Sequence, residues 1–153
     1  MNFAFVAGLA LFIVAFGGFY AINYDFASGS VREGAAFVAP YNYIAGSFTS
    51  HLNAYFFVFV FSLLFFGYST PIALGLEGAK HASAMLHGAN PFELVFIIPS
   101  LIGAYAAIVL GQGVLEDIEG NSVFEKWNAA VKFFAIGLAL TVALSIAGQF
   151  LIT

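Results

Sequence analysis

The sequence predicts an all-α fold, a polytopic transmembrane helical bundle of four spans plus a re-entrant or short fifth helix. Three observations predict it. Of the 153 residues, 62% are hydrophobic and 8% are charged, with a mean hydropathy of +0.99, whereas soluble domains carry about 25% charged residues. The apolar residues fall in several runs of roughly 18 to 25, the length that takes a helix across about 30 Å of hydrocarbon. These runs are apolar on every side, without the alternation that a membrane β-barrel requires. Residues 1–153 therefore read as a single transmembrane domain, multi-pass in the cell membrane, with the lipid bilayer as its first partner.

The first span is expected from Asn2 to Ile22. It has no Lys or Arg ahead of it and no small-x-small cleavage site, so it reads as retained. Tyr20 and Tyr24 then mark an interface. In the polar segment that follows, Ser30 and Glu33 have capping-box spacing, which suggests a surface helix from Val31 to Pro40 or a plain loop. Ser50 can cap a second span, Leu52 to Gly67, dominated by aromatic residues.

Thr70 and Pro71 form the next start signal, an N-cap with proline at the first helical position. The helix they open, 71–86, is short for a span. Asn90, Pro91 and Glu93 repeat that signal, and a third span is expected from Pro91 to Val114, with Pro99 kinking its interior. Gly103, Ala107 and Gly111 follow at four-residue intervals and form a close-contact stripe. The acidic stretch 116–122 reads as a solvated loop, with a surface divalent-cation site as the alternative. Ser122 and Glu125 form a further capping box, Trp127 belongs at headgroup level, and a fourth span continues nearly to Thr153. Gly137, Thr141, Ser145 and Gln149 give this span a small, weakly polar stripe. Gly67, Gly78, Gly103, Gly111 and Gly137 are the candidate helix-packing glycines.

The stretch 68–93 concentrates the ionisable residues in a chain that has few. Glu77, Lys80 and His81 lie at i, i+3 and i+4, on one helix face. With His87 and Glu93 they form the candidate polar intramembrane site, because ionisable groups at membrane depth are costly and tend to be functional. Three roles are open. Glu77, His81, His87 and Glu93 could ligate a metal in an enzyme, but the spacing matches no compact signature such as His-Glu-x-x-His. The 71–93 segment could line a polar path for an ion or small solute, with two helix N-termini at Pro71 and Pro91. Or the same residues could fix architecture, with Glu77 neutralised by Lys80 or His81 and with His87 and Glu93 tying the segment to the third span. The last is the expectation: no enzyme, no catalytic residue, no metal and no cofactor.

Composition excludes other classes. There is no cysteine, which removes disulfides and thiolate chemistry. Four basic residues against eight acidic ones cannot neutralise a row of phosphates, so nucleic acid is not a partner.

From Asn53 onward the order of features resembles the stage II sporulation protein M family of integral membrane proteins. The resemblance rests on Asn53 at the head of a span, Gly67 and Thr70 at its end and Gly78 in the next helix. His87, Gly88 and Glu93 then lead into a glycine-bearing span. In the family the last group reads His-Gly-x-x-Glu; here it is two residues longer, and Glu77 stands where an Asn usually precedes the glycine. The resemblance covers about two-thirds of the chain. It implies a helical membrane protein with no established catalytic activity; the expectation for this chain is a scaffold or assembly subunit, as a homo-oligomer or with a membrane complex partner.

Overall fold

The computed structural model describes the backbone of residues 3–28, 48–86, 90–120 and 123–151, and the side chains of 5–18, 48–86, 90–120 and 123–148. The expected surface helix at 31–40, the side chains of Tyr20 and Tyr24, and His87 lie outside these residues. The elements are α1 (Phe3–Ser28), α2 (Phe48–Leu63), α3 (Thr70–Leu86), α4 (Ile97–Ile118) and α5 (Phe124–Leu151), with no strand among the described residues. A turn, Leu64–Gly67, follows α2, with left-handed backbone at Phe65 and Phe66, and a 3-10 turn, Pro91–Phe96, leads into α4. Three helical stretches are long and apolar enough to cross a membrane: Phe48–Gly67, Pro91–Ile118 and Phe124–Gly148. The described apolar part of α1, Phe5–Gly18, is shorter.

Glycines set how these helices approach one another. On α3, a Cβ at Gly78 would lie 2.5 Å from the Phe12 carbonyl oxygen, and one at Gly75 would lie 3.1 Å from Leu11. On α1, Gly8 faces Leu74 and Thr70. The pairs advance together, so α1 and α3 run side by side in the same direction. On the other side of α2, Tyr55 is wedged between two glycines, with Gly103 of α4 and Gly137 of α5 each under 3 Å from its ring or hydroxyl if given a Cβ. The hydroxyl donates to the Phe134 carbonyl at 2.6 Å. Higher up, Gly111 meets the Phe66 backbone and Gly67 meets Ile108, so α2 and α4 are parallel. Trp127 against Gly113 and Ser145 beside His51 show that α5 runs the opposite way.

These contacts also grade the bundle by depth. Between Phe96 and Gly113, at 1.5 Å per residue, α4 rises about 25 Å. The exposed Trp127 and Tyr68 therefore lie near one end of the bundle and His51 near the other, a separation close to the roughly 30 Å hydrocarbon thickness.

Helix boundaries depart from the sequence reading in five places, each for a local reason. α2 already includes Phe48 and Thr49, so Ser50 lies inside the helix instead of capping it, and Asn53 is solvent-exposed or lipid-exposed. The cap of α3 is one residue earlier than expected. The Ser69 carbonyl accepts from the Ile72 and Ala73 amides, while the Thr70 hydroxyl donates backward to the Gly67 carbonyl at 2.7 Å. Asn90 does cap, accepting from the Phe92 amide at 2.9 Å, but the turn it opens is 3-10 and Glu93 faces inward. Pro99 consequently falls in the first turn of α4, where a missing amide is tolerated, and not in a helix interior. Finally, Glu116 and Asp117 belong to α4, which ends at Ile118, so the acidic loop is shorter than 116–122. The Lys126 ammonium pairs with the Glu116 carboxylate and closes the α4–α5 corner.

Candidate functional site

Two clusters of ionisable side chains lie inside the bundle. The first is on α3, where helical spacing puts Glu77, Lys80 and His81 on one face. The Lys80 ammonium donates to Glu77 Oε1 at 3.2 Å, and His81 Nε2 lies 3.2 Å from the same oxygen. Glu77 and His81 are both buried, and Lys80 is one-fifth exposed. The His81–Glu77 approach has the distance of a hydrogen bond but not its alignment. Neither ring nitrogen of His81 has a hydrogen-bond partner among the described residues. Phe12 of α1 packs against the imidazole at 6.4 Å between centroids.

The second cluster crosses three elements. His51 Nε2 lies 2.9 Å from Glu93 Oε2, and His51 Nδ1 lies 3.2 Å from Ser145 Oγ. The imidazole stacks on Phe96, with centroids 3.5 Å apart and planes at 12°. Both ring edges and one face are thereby held, and α2, the head of α4 and the end of α5 meet at one side chain. Glu93, expected to cap its own helix, meets this histidine with its carboxylate.

A small cavity separates the clusters. Glu77, Lys80 and His81 line one side, and His51, Tyr55 and Thr141 line others. Its volume is about 10 Å³, the space that one water molecule occupies.

The structure therefore places Glu77, Lys80, His81 and Glu93 within one buried region, while His87 is outside the described residues. His51 is the member that sequence reasoning missed. Its signal was available, since His51, Tyr55, Val58 and Ser62 recur at helical spacing and form the buried face of α2. Starting the span at Leu52 cut that stripe short. Among the described residues no group of three or more His, Cys, Asp or Glu is arranged to hold a metal ion.

No family model, no curated protein and no solved structure matches the chain.

Proposed function

We propose that the protein is a non-enzymatic, multi-pass subunit of the cell membrane that acts as a scaffold or assembly subunit, with α1 as a fourth span. One observation carries this reading: the buried polar side chains are used as ties between helices. His51 joins Glu93 and Ser145, and Tyr55 joins Phe134, around a cavity no larger than one water. Buried pairs of this kind fix which helix faces which. The outer surfaces of α5 and the Gly17–Gly18 edge of α1, where no described residue lies within 4 Å of a Cβ added to either glycine, are left for lipid, for further copies of the chain or for a membrane partner.

A second reading, a path for an ion or small solute along 71–93, is favoured by one feature: Glu77, Lys80, His81 and His51 all face a single cavity. Reconstitution into liposomes separates the two. The scaffold reading expects proton, cation and small-solute fluxes equal to those of empty liposomes. A flux that the intact chain supports, and that folded Glu77→Gln and His81→Ala variants lose, would overturn it in favour of transport.

A further inference from the structure

The imidazole of His81 is 1% exposed, and among the described residues neither of its nitrogens is hydrogen-bonded. In any protonation state an imidazole has at least one N–H to donate and, when neutral, one lone pair to accept. Leaving both edges unmet in a buried site forfeits the hydration of each polar group with nothing in return. Nearby residues do not relieve the deficit, because Phe12 offers only a ring and Glu77 approaches off-axis.

The cavity beside His81 has the size and the chemistry to relieve it. Around it, the Thr141 hydroxyl already donates to the Gly137 carbonyl and the Tyr55 hydroxyl to the Phe134 carbonyl. Each of these oxygens keeps lone pairs that can accept. Glu77 supplies a carboxylate and Lys80 an ammonium. An ordered internal water makes about three hydrogen bonds and needs polar surroundings of this kind, whereas a cavity lined only by apolar groups stays empty.

We propose that this cavity is a binding site for a single structural water, which hydrogen-bonds a ring nitrogen of His81 and a hydroxyl oxygen of Thr141 or Tyr55. The water makes one hydrogen-bonded unit of α3, α2 and α5. It connects the Glu77–Lys80–His81 cluster to α2, whose His51 in turn meets Glu93 at the head of α4. The two buried groups then behave as one network.

Magic-angle-spinning NMR of the full chain in lipid bilayers tests this directly. The chain has only three histidines, so with 15N-histidine labelling the His81 signals are identified by their loss in His81→Asn. Magnetisation starting on water protons is expected to reach a His81 ring nitrogen in the wild-type chain. In Ala54→Leu, which fills the cavity from a lining position, that transfer is expected to fall to the level of a lipid-buried group. Ala54→Val serves if the larger side chain prevents folding. Absence of transfer to His81 in the wild-type chain would overturn the proposal. Undiminished transfer in a folded cavity-filled variant would overturn it equally.

Discussion

His51 shows how much one side chain decides. It is buried with both nitrogens engaged, so removing either partner strands a charge or a polar edge in the interior. Breaking one half of a buried pair costs about 3–5 kcal/mol, whereas replacing both halves with apolar groups is far less damaging. Glu93→Leu and His51→Phe are each expected to lose that much stability, and the double variant to lose clearly less than their sum. Thermal unfolding in detergent, read as a double-mutant cycle, checks this; additive losses would mean that the two residues do not interact. A smaller effect is expected at Tyr55. Tyr55→Phe removes one hydrogen bond to Phe134 and should cost about 1 kcal/mol in the same assay. Gly103→Leu should cost about 1–3 kcal/mol, because a side chain there meets the Tyr55 ring and forces it from its slot.

At this scale the sequence was legible where spacing alone sets geometry. Glu77, Lys80 and His81 share a face because residues three and four apart always do on a helix. Glu93 and His51, by contrast, are 42 positions apart, and nothing local to either announces the other. An acidic residue three places after Asn90 looks like a cap from the sequence, and only the packing of α2 shows that it is needed elsewhere.

Among the elements, the turn between α2 and α3 is the most demanding. Phe65 and Phe66 adopt φ values of 53° and 57°, and Gly67 follows at 93°. Left-handed backbone costs about 1–2 kcal/mol for a residue with a side chain, so this turn holds two residues against their preference. The Ser69 hydroxyl closes it, donating toward the Leu64 carbonyl at 2.5 Å and also contacting the Phe61 carbonyl. Phe65 is 77% exposed, so its ring contributes little to packing. Phe65→Gly is therefore expected to raise the unfolding midpoint modestly. Gly67→Ala should lower it, because a Cβ there meets Ile108 Cα at 3.0 Å and φ is unfavourable. A lowered midpoint for Phe65→Gly, or an unchanged or raised one for Gly67→Ala, would contradict the turn geometry. Helix existence could be read from apolar runs, but this turn could not, since two phenylalanines give no sign of left-handed backbone. The glycine after them was the only clue, and it was read as the end of a span.

The whole molecule is organised around a few polar side chains held at depth by close helix contacts. α3 is the revealing case, because one of its faces carries Glu77 and His81 into the interior while Ile72 and Leu76 point outward. Its 17 residues, Thr70–Leu86, span about 25 Å at 1.5 Å per residue, which is close to a full crossing of the hydrocarbon. The outward face is the discriminating one, since interior residues are shielded in water and lipid alike. The chain contains no cysteine, so single-cysteine variants can be labelled cleanly with a membrane-impermeant maleimide. Leu76→Cys, at a position 47% exposed in the protein, is predicted to stay unlabelled from both sides of intact membranes and to react once detergent removes the lipid, while Asn90→Cys labels from one side only. Rapid labelling of Leu76→Cys in intact membranes would put α3 in water and contradict the account.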